Sequence, residues 1–397
     1  MDWKLYVQLS VMMGLEYAIW GAWSPVLAAR CLGPLKFSGK QTGWIYGTLF
    51  LACIFMPLVA GQVADRWLDA KWVLAGAHVA GGALLLMAAK EKKFNSLFTT
   101  MFLFSLCYAA TIPLVNSVMF SQVGRVLERG SDAYNLALKN IFIWAPLAWV
   151  LVGWVLTGWR QVKGTGEGND CLVFAGALAL VMGVFCFSLP ATLPAGTSGT
   201  PIVKALSMLS EGSFLVFMIV SFVVTANLQF YYLGTAQYLQ DIGIKSKNVP
   251  AVMAIAQVAQ VLATWYALGW LINNYGYKWA LAVGVLSWLA LYLIYSMERP
   301  KGLVIGSMAF HGIAYVLFII GGQMYVNKVA DPGIVSSAQG LLFAVTTGLG
   351  LFVGTRFAGV VMDRFSAGGK FRWRPIYLVP CAFLATSAVA MMVLFGD

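Results

Sequence analysis

The chain has 397 residues, 60% of them hydrophobic and 10% charged, with a mean hydropathy of +0.79 and a formal charge of +11. Water-soluble domains carry about a quarter charged residues, so a soluble globular fold is excluded and an integral membrane protein is indicated. The 26 Lys and Arg are spread over short loops without a long basic tract, which argues against nucleic acid as a partner and for contact with lipid headgroups.

A membrane-crossing helix takes roughly 20 apolar residues. Apolar runs between breaks rich in charge, Gly and Pro predict about twelve of them, at residues 4–30, 40–62, 71–90, 95–121, 133–158, 170–189, 212–240, 249–273, 277–297, 302–327, 334–361 and 375–395. Backbone polar groups must be satisfied inside lipid, so these runs imply an all-α bundle and not a barrel. The first run is of full length and lacks a small-residue cleavage pattern, so it is expected to stay in place as a spanning helix. The longest break is LPATLPAGTSGTPIVKALSMLS. It divides the chain into an N-terminal six-helix bundle (1–190), a cytoplasmic linker (191–211) and a C-terminal six-helix bundle (212–397). Two such halves are the layout in which a substrate site forms near the midplane of a secondary transporter. No GxxxxGK[ST] pattern supports ATP-driven transport. No nucleophile, metal cluster or acid pair suggests an enzyme. Six cysteines without a CxxC pair read as buried thiols, and with two histidines no metal or cofactor is expected.

The first helix contains LSVMMGLEYAIWGAW, with Glu16 near its midpoint. A charged side chain at the bilayer centre costs roughly 2.5 to 3.5 kcal/mol. Protonating a glutamate of reference pKa about 4.3 at pH 7 costs about 3.7 kcal/mol. The two costs nearly balance, which is the behaviour a proton-coupling group needs. A permanently protonated or cation-paired structural glutamate is the alternative. Trp20 and Trp23 continue the Glu16 face at i+4 and i+7. His78, beside Gly76 in the third helix, reads as structural.

After the second helix, GQVADRWLDAKW supplies Gly61, Asp65, Arg66 and Lys71, which resemble the GxxxDR-type loop of the major facilitator superfamily. That resemblance implies a loop whose charges latch the two halves on the cytoplasmic side. A narrower set, in order along the chain, is WGAW, FMPLVAGQVADRWLDAKWVLAGAH, PLVNS, LQFYY and SSAQGLLF. Together they look like the nucleoside:proton symporter family. What the resemblance implies is a major facilitator fold, nucleosides as substrate and protons as the coupling ion. It also places both termini on the cytoplasmic side of the bacterial inner membrane, although on these spans most of the Lys and Arg then fall outside, against the positive-inside rule. The chain is expected to act as a monomer among membrane lipids.

Departures from the family pattern matter for the site. Where the fifth helix of such symporters resembles IRxWGTxGF, this chain has IFIWAPLAW, giving Phe142, Pro146 and Trp149, and no arginine. Lys139 precedes them at helical spacing, either as a displaced cation, a proton-coupling candidate beside Glu16, or snorkelling to headgroups. The eighth-helix QxxE corresponds to Gln257 and Gln260, and an aromatic–Asp pair in the tenth to Tyr315 and Val316. Two expected carboxylates are thus replaced.

A nucleoside needs aromatic faces for stacking and amides that donate and accept. Asn227, Gln229, Gln257 and Gln260 supply amides in the second half, Asn116 beside Pro113 one in the first, and Trp20, Trp23, Phe142, Trp149, Tyr232 and Tyr315 supply aromatic faces. His311, four residues before Tyr315, is a candidate for substrate binding or proton carriage. Helix-to-helix hydrogen bonding and packing are the bland alternatives for each. For the whole chain, the alternatives are a facilitator or carrier of another polar solute, or a non-transporting receptor or scaffold.

Overall fold

The computed structural model describes residues 1–164, 168–194, 200–245, 249–367 and 370–396. Residues 195–199 of the expected linker lie outside them. Among the described residues, ten helices are long and apolar enough to cross a membrane: Lys40–Arg66, Ala70–Ala88, Phe94–Val126, Asp132–Lys163, Asp170–Ser188, Gly212–Asp241, Val252–Met297, Lys301–Val329, Pro332–Arg364 and Trp373–Val393. Val252–Met297 contains two of the expected spans. Gly276 divides them with φ 78° and ψ 176°, a conformation open to glycine because it has no Cβ to clash. Trp3–Trp23, which carries Glu16, is a further helix of 21 residues, so the helical inventory is consistent with twelve spans.

The first span is shorter than expected. It was placed at 4–30, but the helix stops at Trp23 and a separate short helix, Leu27–Leu32, follows. Pro25 has no N–H to continue the ladder. The Tyr46 hydroxyl then fixes the corner, donating to Ser24 O (2.6 Å) and accepting from Ala28 N–H (3.0 Å). The second span opens with a capping box at Ser38 and Gln41. The fifth breaks at Ile143 into Asp132–Phe142 and Trp144–Lys163, because Pro146 cannot donate to the Phe142 carbonyl. Three π-helical turns, Ala263–Leu268, Tyr315–Ile320 and Ala344–Gly350, lie inside later spans. Each rotates the side chains that follow it, and such turns concentrate at functional sites. A short helix, Pro201–Ser207, in the linker and a small hairpin pairing Ser366–Ala367 with Lys370–Phe371 complete the described structure.

By contact, the chain divides into two compact units. One comprises Met1–Leu206 with Asn327–Ala344, the other Ser207–Val326 with Val345–Asp397. In the first unit, the first helix packs on the fifth and sixth, and the third on the fourth and sixth. Gly82 and Gly176 let the third and sixth helices meet backbone to backbone, since a Cβ on Gly82 would lie 2.9 Å from Gly176 O. The second unit centres on a cluster of Tyr238, Tyr292, Tyr295, Trp373 and Tyr377, whose ring centroids lie 4.9 to 5.7 Å apart in five pairs. Its aromatic rings supply much of the buried area that holds the seventh, ninth and twelfth helices together.

Candidate functional site

Glu16 is fully buried in the first unit. Its Oε2 lies 2.9 Å from His78 Nε2 on the third helix. Among the described residues neither atom has a hydrogen-bond partner besides, so each depends on the other. Its Oε1 is 2.8 Å from the Thr111 hydroxyl of the fourth helix. One turn back on that helix, the Tyr108 hydroxyl donates to the Glu16 carbonyl oxygen (2.6 Å). Rings close the group off from lipid. Trp20 meets both Tyr108 (6.4 Å) and Trp149 (5.8 Å) edge-on, Phe104 stacks on Tyr108 (5.4 Å), and Trp23 stands against Phe104 (6.2 Å). The face read from the sequence as Glu16, Trp20, Trp23 is therefore one continuous aromatic wall. A buried carboxylate is tolerable only when paired and hydrogen-bonded, and here both conditions hold.

The loop motif also has its partners inside the first unit. Asp65 is buried, and its two oxygens accept from the backbone N–H groups of Ser336 (3.2 Å) and Ser337 (2.7 Å). These N–H groups belong to the start of the helix Val335–Phe343, where free donors and the helix dipole favour an anion. Gly61 is what permits the approach: a Cβ there would stand 2.7 Å from Ser336 O. The Ser117 and Ser336 hydroxyls bond at 2.6 Å, and Asn327 Nδ2 donates to the Tyr134 hydroxyl at 2.7 Å. Arg66 is exposed, and the Lys71 ammonium sits over the Trp72 ring at 5.2 Å. Asp69, four residues after Asp65, was not singled out in the sequence. It caps the third helix through Lys71 N–H (3.1 Å) and holds Thr192 N–H (3.0 Å).

Elsewhere in this unit, Asn116 is fully buried beside Ser117, and Phe142 packs on Phe120 with centroids 6.0 Å apart. Trp149 is half-buried, its ring against the Gly21 backbone, where a Cβ would come within 3.0 Å. Lys139 is half-buried on the segment before the Ile143 break, so it and Trp149 do not lie on one uninterrupted helix.

In the second unit, His311 is buried with its ring stacked on Tyr231 at 3.7 Å and 10°. Trp288 Nε1–H donates to His311 Nδ1 at 3.2 Å. An indole nitrogen can only donate, so Nδ1 is the acceptor and the ring proton sits on Nε2. In this arrangement His311 is a neutral imidazole that presents a donor, a state suited to a substrate oxygen. Tyr232 and Tyr315 complete the aromatic group at 6.1 and 6.4 Å from His311. Gln229 and Gln260 are buried, whereas Gln257 and Tyr232 are exposed in this unit. Asn227 Nδ2 donates to Val223 O at 2.7 Å, and the Asn227 backbone carbonyl oxygen accepts from the Tyr292 hydroxyl at 3.0 Å. At Gly312 the tenth helix touches the eighth, with a Cβ there falling 2.6 Å from Gln260 N.

Four partners escaped the sequence reading: Tyr108, Thr111, Trp288 and Tyr231. His78, read there as structural, lies 2.9 Å from Glu16. Each lies in an apolar run whose only signal is a polar group in lipid, and nothing along the chain pairs residues nearly a hundred positions apart.

Comparison with known proteins bears on this arrangement. The family described as Nucleoside H+ symporter matches residues 3–397. The chain is 26% identical to the nucleoside permease NupG of Escherichia coli over 410 residues, covering 99% of this chain and 96% of that one. It is 30% identical to the putative nucleoside transporter YegT of the same organism over 414 residues, covering 99% and 94%. A crystal structure of NupG aligns over 100% of both chains with a TM-score of 0.70 and 25% identity. That of the human organic anion transporter MFSD10 aligns over 98% of this chain and 99% of its own, with a TM-score of 0.77 and 14% identity, a likeness of fold alone. A full-length family match, a NupG alignment spanning 99% of this chain and a helical membrane architecture agree, and the chain belongs to the nucleoside:proton symporter family, with the fold of the major facilitator transporters.

Proposed function

We propose that this chain moves nucleosides across the bacterial inner membrane by alternating access as a proton symporter, with Glu16 as the group that takes up the proton. One observation carries the reading: Glu16 is fully buried and its ion-pair partner is a histidine 2.9 Å away. A lysine or arginine partner would fix the carboxylate in its charged form. A histidine also exists as a neutral ring that can donate from Nε2, so the 2.9 Å contact is compatible with Glu16 either ionised or protonated. Family members resemble one another in carrying acids in the eighth and tenth helices, where this chain has Gln260 and Val316; relocation of the coupling acid to the first helix accounts for both departures.

The substrate contacts in this reading are amides and rings. Gln229, Gln257, Gln260 and Asn227 address the hydrogen-bonding edge of the base and the ribose hydroxyls. Tyr232, Tyr315, Trp149 and Phe142 offer stacking faces, and Trp20 and Trp23 extend them. His311 donates through Nε2, Asn116 adds an amide from the fourth helix, and Lys139 stands in for the absent arginine. Gly61, Asp65, Arg66 and Lys71 form the cytoplasmic latch. Both termini are cytoplasmic, and the protein acts as a monomer among membrane lipids.

The test is uptake of uridine and adenosine into proteoliposomes with and without an inward proton gradient. The gradient should accelerate uptake by the native chain, and Glu16→Gln should lose that response. Native uptake indifferent to the gradient would remove symport. A Glu16→Gln variant that responds as the native protein does would make Glu16 structural.

A further inference from the structure

The Thr111 hydroxyl sits between two acceptors. It is 2.8 Å from Glu16 Oε1 and 2.8 Å from the carbonyl oxygen of Tyr108. A hydroxyl has one proton and two lone pairs, so it can donate to only one of these oxygens at a time. The Tyr108 carbonyl can only accept. The carboxyl oxygen is different: it accepts when ionised and can donate when protonated.

We infer that Thr111 is a two-position hydroxyl switch that keeps Glu16 hydrogen-bonded both before and after it takes up the transported proton. This rests on the reading of Glu16 as the coupling group. With Glu16 ionised, the Thr111 O–H donates to Oε1. When a proton arrives, a new O–H bond forms on Oε1 and donates into a lone pair of Thr111 Oγ1, while the threonine O–H turns to the Tyr108 carbonyl. No bond of the threonine breaks, and its own proton stays on its oxygen. On release, the O–H bond of Oε1 breaks, the proton leaves, and the hydroxyl swings back. In neither state is a buried polar atom of Thr111 or Glu16 Oε1 stranded, so the step avoids the cost of an unmade buried hydrogen bond.

The surroundings leave this exchange to few groups. His78 faces Glu16 from the third helix, Tyr108 from the fourth, and Cys186, at the end of the sixth, is within electrostatic reach of it. The fifth helix turns Ala148, Trp149 and Val152 towards the first at Gly14 and Gly21, none of them titratable. The segment before it, Asp132–Phe142, also packs on the first helix and carries Lys139 in its last turn, with the Asn140 carbonyl near Tyr6 at the far end of the first helix.

Thr111 is a positioning residue in this scheme, and the readout is the pH profile. Thr111→Val removes a donor from the ionised form and an acceptor from the protonated form. The bond to a charged oxygen is the stronger of the two, so the ionised form suffers more and the midpoint of uptake against pH moves upward, by about one unit, which corresponds to ~1.4 kcal/mol. Thr111→Ser restores the hydroxyl and should return the midpoint to that of the native chain. The measurement is gradient-driven uridine uptake by the full chain in proteoliposomes across a series of pH values, for Thr111→Val, Thr111→Ser and Glu16→Gln. A native midpoint in Thr111→Val, with Glu16→Gln blind to pH, overturns the switch and leaves Glu16 as the coupler. A normal pH response in Glu16→Gln overturns the coupling reading and the switch with it. Failure of both Thr111 variants to transport, serine included, would make Thr111 a packing residue and also overturn the switch.

Discussion

At the level of single residues, the two histidines divide the chemistry between them. His78 faces the Glu16 carboxyl through Nε2 at 2.9 Å. His311 accepts from Trp288, which holds it neutral and fixes its Nε2–H as a donor. Removing that restraint should affect substrate binding alone. Trp288→Phe is expected to raise KM for uridine roughly 2- to 10-fold, the equivalent of one hydrogen bond worth about 0.5 to 1.5 kcal/mol, with the pH profile unchanged. Uptake kinetics at two pH values would check it, and a shifted profile would place His311 in the proton path. The sequence announced Glu16, because a lone carboxylate in an apolar run is conspicuous. It did not announce Thr111 or Trp288, because threonine and tryptophan are ordinary in membrane helices and their roles depend on which oxygen or nitrogen stands across from them.

Among the helices, close approach is bought with glycine. Gly61 lets the second helix bring Asp65 onto two N–H groups at the start of Val335–Phe343, a contact between backbone atoms that cannot give way. Gly61→Val should force the segments apart, cost about 1 to 3 kcal/mol of stability as overpacking, and leave Asp65 without its donors. A lower Tm in detergent together with uptake below about a tenth of native would bear this out; native values for both would show that the contact is dispensable. Helix positions along the chain were largely legible from apolar runs, since a membrane helix must cover roughly 20 residues whatever its partners. The exceptions have local causes. The first helix was drawn to residue 30 and stops at Trp23, where Pro25 and the Tyr46 hydroxyl turn the chain. The three π turns were invisible to hydropathy, which averages over the very periodicity they interrupt.

For the molecule as a whole, the proposed cytoplasmic placement of both termini is opposed by loop charge. With cytoplasmic termini, the AAKEKKFN loop between the third and fourth helices faces outward although it carries three lysines. A cysteine in place of exposed Lys92, in a chain whose own cysteines are replaced, should react with a membrane-impermeant maleimide applied to intact cells. Absence of labelling would invert the topology. The positive-inside rule counts charges near helix ends, and a chain with net charge +11 has enough basic residues to place on both sides.

Hydropathy and ordered motifs were enough to establish a helical membrane transporter of this family, because span length and lipid solvation constrain composition directly. They also identified Glu16, Asp65 and His311 as polar groups in need of an explanation. Which atoms answer them depended on the tertiary structure. The pairing of Glu16 with His78 and Thr111, of Asp65 with Ser336 and Ser337, and of His311 with Trp288 joins residues from separate helices. Hydrogen bonds reach about 3 Å and are directional, so only the packed helices decide which donor meets which acceptor.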